Sequence, residues 1–426
     1  MECKNASLCL FDELDVQSDI IGNNIVDYHP ITSLSAGGPI EFYVPGTVDE
    51  YIDCSDINIL LNVKILKADG TDIDSAKDKV CLVNQAVSSV FQDVFLSIGN
   101  TQVEGGQHCY PYNGYFSSLL QFHPSAKKTH MQAWGWNEDE PGKFDDAANK
   151  GAVFRMNAAE DSKECQLYGP LFLDMTRQSR FILPQTSLRF KFLPAKPEFA
   201  LQSFDATKYM YKITKCILYV RRLKVNSSVL DGHVKGLERN NAIYNVKHVN
   251  ISTFTINKGT QTHTKDRLFM SETPKFMVVG LVEHDRFNGE LKKSPFNFEH
   301  FGLNKIGVYR DGEMTLGQTF TPDFAKDCFL RSYVNTMTAL NLFNTDDSNG
   351  MTIEHFKNGY NLYVFDLTPD GNAHATYRSV KSSSSLRLEL GFEKVLTQTV
   401  NVVIFAVFDS KLEITKYRDV IMNYTR

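Results

Sequence analysis

The sequence predicts an all-β chain built as two tandem β-sandwiches, each with a short inserted helix. Three observations carry this. The 426 residues hold 30 Phe and 18 Tyr against 2 Trp, and flat side chains suit a pleated surface. The stretch Ser385 to Phe392 sets Leu386, Leu388, Leu390 and Phe392 on one side of an extended chain and Arg387 and Glu389 on the other, the alternation of a half-buried strand. The same phrase stands earlier as Ser187-Leu188-Arg189-Phe190-Lys191-Phe192, and the features around the two copies recur in one order.

In chain order, an irregular N-terminal segment leads to a strand from Pro39 to Val44 and a second from Ile57 to Leu66, ended by the turn Ala68-Asp69-Gly70. Val90 to Ile98 and Thr101 to Glu104 flank Gly99-Asn100, a two-residue hairpin turn whose residues tolerate positive φ. Tyr112 to Gln121 reads as a helix. His123 to Cys165 has no clear period and reads as an exposed excursion, removable without loss of folding. Leu171 to Asp174, Arg180 to Leu183, Leu188 to Phe192 and Tyr211 to Val225 read as strands, the last closing the first sandwich.

Between Asn226 and Asn241 the period turns helical, with Ser228 and Asp231 spaced as a capping box. Strand signals resume at Val246 to Ile256, Lys275 to Val282, Phe296 to Phe301 and the hairpin Ile306 to Thr315 on Asp311-Gly312. Thr321-Pro322-Asp323 predicts a helix start, with the helix running towards Phe343. Tyr360 to Leu367, Leu386 to Phe392 and Val402 to Ile414 follow as strands. Each half therefore has early strands, a hairpin, a helix, a strand, the Ser-Leu-Arg strand and a long apolar closing strand. The expected division is 1–225 for the first sandwich with its N-terminal segment and 226–426 for the connector helix and the second.

Composition excludes several classes. A formal net charge of -5 gives no general basic footprint for nucleic acid. The N-terminus, with Glu2, Asp12, Glu13, Asp15 and Asp19 against Lys4, lacks the apolar core of a signal peptide, so the chain is expected not to be secreted. No apolar run reaches the roughly 18 residues of a membrane span. The 8 Cys, at 3, 9, 54, 81, 109, 165, 216 and 328, form no C-x-x-C pair and read as free thiols of a reducing compartment. The sequons at Asn5, Asn226, Asn250 and Asn423 would then stay unmodified.

The possible chemical constellations are poor. In Glu283-His284-Asp285 both acids face away from the histidine on a strand; His108-Cys109 near Glu104 lacks an orienting third group. Asp69, Asp72 and Asp74 miss the calcium-loop pattern. Arg221-Arg222 and Lys292-Lys293 read as solvated pairs, Ser382 to Ser385 as a flexible loop, and Trp134 and Trp136 are the sugar-stacking candidates of a lectin-like alternative. No catalytic, cofactor-binding or metal-binding residue is assigned, and no cofactor is expected.

Phe269 to Asn288 with Pro295-Phe296-Asn297-Phe298, then Asn358-Gly359-Tyr360 through Phe365-Asp366-Leu367-Thr368-Pro369-Asp370, Leu386 to Leu390 and Thr399 to Val402 carry a resemblance. The chain resembles the double jelly-roll major capsid proteins of Polinton (Maverick) elements, Polinton-like viruses and adintoviruses, more closely after Ile217 than before. Val83-Asn84, Ser97 to Thr101, Pro111-Tyr112 and Arg180 to Leu183 fit more loosely. The resemblance implies two jelly rolls side by side, a homotrimeric capsomer of pseudo-sixfold outline, and an icosahedral shell around a double-stranded DNA genome. It further implies contacts with neighbouring capsomers and with penton and minor capsid proteins, no enzymatic activity, and a place in the virion capsid after assembly in the host cytoplasm or nucleus. A shell filled by a packaging motor suits the acidic N-terminus, so no sequence-specific nucleic-acid binding is expected. The alternatives are a lectin-like jelly-roll binding protein and a host-domesticated capsid protein.

Overall fold

The computed structural model describes residues 16–34, 37–269, 272–315, 319–375, 377–380 and 384–423. Glu2, Asp12, Glu13, Asp15, Cys3, Cys9, the Asn5 sequon and Lys381 to Ser383 lie outside the described residues.

The first half contributes strands β1 (Ile20–Tyr28), β2 (Ile40–Val44), β3 (Glu50–Lys67), β4 (Val80–Leu82), β5 (Phe91–Ile98), β6 (Thr101–Glu104), β7 (Cys165–Pro170), β8 (Leu188–Pro194), β9 (Leu201–Ser203) and β10 (Tyr209–Val225). The second contributes β11 (Ala242–Ile256), β12 (Thr262–Lys265), β13 (Phe276–Glu283), β14 (Leu303–Arg310), β15 (Glu313–Met314), β16 (Leu362–Asp366), β17 (Leu386–Phe392), β18 (Val400–Ile414) and β19 (Val420–Met422). Between them lie helices α1 (Ala86–Ser89), α2 (Tyr110–Gln121), α3 (Pro124–Lys127), α4 (Lys150–Ala158), α5 (Pro197–Ala200), α6 (Ser227–Leu237), α7 (His284–Asn288), α8 (Leu330–Ala339) and α9 (Ile353–Lys357).

The first half pairs its strands as β1-β10-β3-β7 and β2-β8-β5-β6, and the second as β11-β18-β13-β16 and β12-β17-β14-β15. With the small β4-β9 pair and the β19 strand on β18 set aside, each half has the same eight strands. Counted in chain order, both halves place them one-eight-three-six against two-seven-four-five. This is a jelly roll made twice, and the chain is a double jelly roll. The repeated Ser-Leu-Arg phrase falls on the seventh strand of each roll, β8 and β17, and the two hairpins join the fourth and fifth strands of each. Asp311 and Gly312 take φ of 51° and 89°, the left-handed backbone that a tight hairpin needs.

Two cores lie inside the rolls. Ile57, Ile59, Leu61, Val63 and Ile65 of β3 meet Phe42, Phe190 and Phe192 of the facing sheet. In the second roll, Met277, Val279 and Leu281 of β13 and Val402, Ile404 and Ala406 of β18 meet Leu386, Leu388 and Leu390.

Several expectations are corrected. Ile20–Tyr28 is a strand, although Gly22-Asn23-Asn24 interrupts its apolar pattern, because β10 offers it a paired edge. Leu171 to Asp174 and Phe296 to Phe301 are apolar but lie outside the strands; Phe172 and Phe296 are buried by packing, not by ladder pairing. The helix expected from Thr321 starts only at Leu330: Asp323 and Cys328 exchange backbone hydrogen bonds of 3.0 and 2.8 Å, and the Asp323 side chain accepts from Lys326 N–H, closing a turn instead. On α6 the cap is Asn226, which accepts from Ser228 N–H, rather than the Ser228/Asp231 box.

The largest correction concerns His123 to Cys165. It carries α3, α4 and a turn of 3-10 helix at His130–Trp134, and Met131, Trp136, Phe144, Asp139, Asn149 and Arg155 are buried. Asn149 and Arg155 each donate to Oδ1 of Asp139 at 2.8 Å, so the buried carboxylate and guanidinium are paired with each other. It is a packed insertion, not an exposed excursion.

Candidate functional site: the junction and the open sheet

A third core joins the rolls. On β13 and β18 the residues alternate between two apolar environments, with Phe276, Val278, Val403, Phe405 and Val407 facing away from the inside of the roll. A sheet buried on both faces reads as a continuous apolar run, which is why Val402 to Phe408 shows no alternation. The cover on the outer face is α2, from the insertion of the first roll: Tyr112, Tyr115, Phe116 and Leu119 are buried in the same core. Tyr115 stacks on Phe296 with ring centroids 4.1 Å apart, and Phe116 meets Phe405 at 5.7 Å. At about 2 kcal/mol for each large side chain buried, a handful of such residues joins the rolls firmly.

Polar groups fix the register of this junction. Edge strand β11 meets side chains of the first roll: Asp174 accepts from Val249 N–H at 3.0 Å and Gln107 from Ile251 N–H at 3.1 Å. An unpaired sheet edge is thereby covered. Asp174 also lies 2.6 Å from Nδ1 of His248, and Glu104 accepts from the N–H groups of Asp174 and Met175. Burial and then the Asp174 charge push Glu104 up to about 8, against the pull of those two N–H groups and of Arg177. Between the two insertions, the buried Lys127 donates to the carbonyls of Leu119 and Asn349 at 2.6 and 2.5 Å, and burial pushes it down to about 8. These residues carry no local sequence signal, because the contacts that join the rolls span tens of positions.

The equivalent sheet of the first roll is different. On β3, Asn58, Leu60, Asn62 and Lys64 alternate with the core residues and are half-exposed, while Tyr168 and Met210 on the flanking strands are exposed. One face is packed and the other is open to solvent.

The constellations weighed in the sequence do not converge on a reactive centre. Glu283 pairs with Arg286 and Lys293, whereas His284 meets Asn401 at 2.9 Å. Cys109 is buried, which pushes its thiol up to about 12, and His108 turns to Asp93 at 3.5 Å. Asp69 caps Thr71, Asp72 pairs with Lys64 and Asp74 with Lys77. Arg221 pairs with Asp56, but Arg222 is a correction: it is buried, donating to Pro45 O at 2.6 Å and to Tyr28 Oη at 2.8 Å. Trp136 is enclosed and Trp134 packs against Phe122 and Phe172, so the two do not form a sugar-stacking platform. Among the described residues no group of three or more His, Cys, Asp or Glu is placed to hold a metal, and no helix is long and apolar enough to cross a membrane.

With its topology repeated, the chain has the double jelly-roll fold of known capsid proteins. A chain from the structure of the Sputnik virophage superposes with a TM-score of 0.65 at 12 % identity, over 99 % of this chain and 92 % of that one. The mavirus major capsid protein gives 0.58 at 12 % identity over 100 % and 95 %, and the Faustovirus major capsid protein 0.56 at 10 % identity over 95 % and 92 %. In sequence, an uncharacterised protein of Caenorhabditis elegans is 22 % identical over 406 residues, covering 92 % of this chain and 94 % of its own. No family model matches.

Proposed function

We propose that this chain is a major capsid protein of the Polinton (Maverick), Polinton-like virus and adintovirus group. Three copies form a capsomer with six jelly rolls in pseudo-hexagonal outline, and capsomers tile an icosahedral shell enclosing a double-stranded DNA genome. The single observation that carries this reading is the double jelly roll itself, shared over almost the whole chain with the virophage and giant-virus capsid structures. Rigid tiles with covered sheet edges suit assembly, and a head-to-tail threefold contact closes into a ring without a self-complementary surface. Each such contact should bury more than about 2,000 Å².

On this reading the functional units are 1–225 and 226–426, the chain is structural rather than an enzyme, and its further partners are neighbouring capsomers with penton and minor capsid proteins. It works in the virion after assembly inside the host cell. No sequence-specific DNA binding is expected of purified capsomers, and a steep salt dependence of DNA binding, the mark of many phosphate contacts, would overturn the reading of a shell filled by a packaging motor. A nematode relative of matching length favours one further possibility, a capsid gene resident in an animal genome and retained by the host. Light scattering with negative-stain microscopy tests the main reading: a stable trimer of hexagonal outline supports it, and a glycan-binding monomer refutes it.

A further inference from the structure

The insertions of the two rolls, between β6 and β7 in the first and between β15 and β16 in the second, meet at a buried amine. Lys127 ends α3 of the first insertion, and Asn349 stands in the second, 222 positions further on. Both are buried, 4 % and 2 % exposed. Nζ of Lys127 donates to the main-chain oxygen of Asn349 at 2.5 Å and to that of Leu119 at 2.6 Å, and the Trp136 ring lies 5.5 Å away. Carbonyls and an aromatic face compensate a buried charge less than a carboxylate in contact would. Burial accordingly pushes the Lys127 pKa down to about 8, against the opposing charge of Glu138. Near that pH much of the amine is neutral, and a desolvated neutral lysine is a nucleophile.

The side chain of Asn349 has the features of its electrophile. Oδ1 accepts from Met351 N–H at 3.1 Å, which draws electrons from the carboxamide carbon and would hold the negative oxygen of a tetrahedral adduct. Nδ2 is buried and meets no hydrogen-bond partner among the described residues, so no such bond is broken when that nitrogen departs. The competing nucleophile is the main-chain nitrogen of Gly350, which in an Asn-Gly pair can close on the same carbon as a succinimide. Here its N–H donates to Ser348 Oγ at 3.0 Å and is engaged elsewhere.

We propose that Lys127 and Asn349 join in an isopeptide bond, a self-formed cross-link between the insertions of the two rolls. Nζ attacks Cγ of Asn349, the bond from Cγ to Nδ2 breaks, and a proton passes from the attacking nitrogen to the departing one. One ammonia leaves, and neither oxidant nor cofactor takes part. The amine has only to pass from the main-chain carbonyl to the side-chain carbonyl of the same residue. The bond closes a loop over about half the chain, and closing a long loop restricts the unfolded state as a disulfide does. Unlike a disulfide it forms in a reducing compartment.

The purified full-length chain, kept in mildly alkaline buffer, then denatured, digested with trypsin and read by mass spectrometry, tests this. The expected result is an intact mass short by one ammonia, a branched peptide joining positions 127 and 349, and no cleavage after Lys127. Lys127→Met, with the circular dichroism of the parent, should give no branched peptide. A parent chain of full sequence mass, whose Lys127 appears only in linear peptides and takes an amine-reactive label after denaturation, overturns the proposal. An ammonia loss accompanied by linear peptides alone marks the Asn349-Gly350 succinimide and overturns it as well.

Discussion

Nδ1 of His248 lies 2.6 Å from Oδ2 of Asp174, and this contact crosses from the second jelly roll to the first. The other oxygen of Asp174 accepts from Val249 N–H, so one buried carboxylate serves both a side chain and a sheet edge of the partner roll.

Asp174→Ala removes the acceptor and leaves Val249 N–H buried without it. A loss of about 3 kcal/mol is expected, the range for breaking a buried charged contact. Urea denaturation followed by tyrosine fluorescence measures it; a midpoint unchanged from the parent chain would show that the contact contributes little.

Glu104 gives the junction a pH dependence of known sign. The folded chain keeps a proton up to about 8, whereas an unfolded glutamate releases it near 4.5. The stability from that retained proton is complete below the unfolded value and is lost as pH rises towards the folded one, with a slope of at most about 1.4 kcal/mol per pH unit. Glu104→Gln should therefore cost most in mild acid and progressively less towards about pH 8. Denaturation curves of both proteins over that range check this, and a cost of Glu104→Gln that grows as pH rises would refute it.

What was legible in the sequence follows from which contacts are local. Leu386 to Phe392 could be read because its roll is covered on one side there, so Arg387 and Glu389 mark the wet face. The hairpin at Asp311-Gly312 was legible because positive φ restricts the residue choice. Val402 to Phe408 announced a strand but not its second covering, since apolar residues on both faces look alike whatever lies above them. The burial of Trp136 and the Asp139 cluster was illegible, because Tyr360 Oη, which donates to Asp139 O at 2.6 Å, lies far along the chain. Thr321-Pro322-Asp323 misled since the residues that start a helix also close a turn.

Gly280 tests how closely the junction is packed. It sits in the middle of β13, and a Cβ added there would stand 2.7 Å from the Phe298 ring and 2.8 Å from a methyl group of Leu362. Neither neighbour is at the surface. Gly280→Ala should destabilise by about 1–3 kcal/mol, as overpacking of a dense core does, and Gly280→Val by more. Thermal unfolding of the two variants should rank them in that order.

The packed insertion makes the sharpest contrast with its appearance in the sequence. Trp136 is enclosed against Tyr115 at 5.5 Å, with the Lys127 ammonium 5.5 Å from its ring, and Phe144 meets Tyr360 at 5.0 Å. Removing 123–165 would strip these contacts from α2, which covers the outer face of β11-β18-β13-β16, and would leave the buried rings of Tyr115 and Tyr360 facing water. The expected outcome is insoluble protein, not a folded chain with altered assembly. Trp136→Ala probes the same packing without removing backbone and should cost about 3–5 kcal/mol, the usual loss for a large buried aromatic. Soluble expression of the deletion with native-like near-ultraviolet circular dichroism would mean that the second roll holds its sheet without this cover.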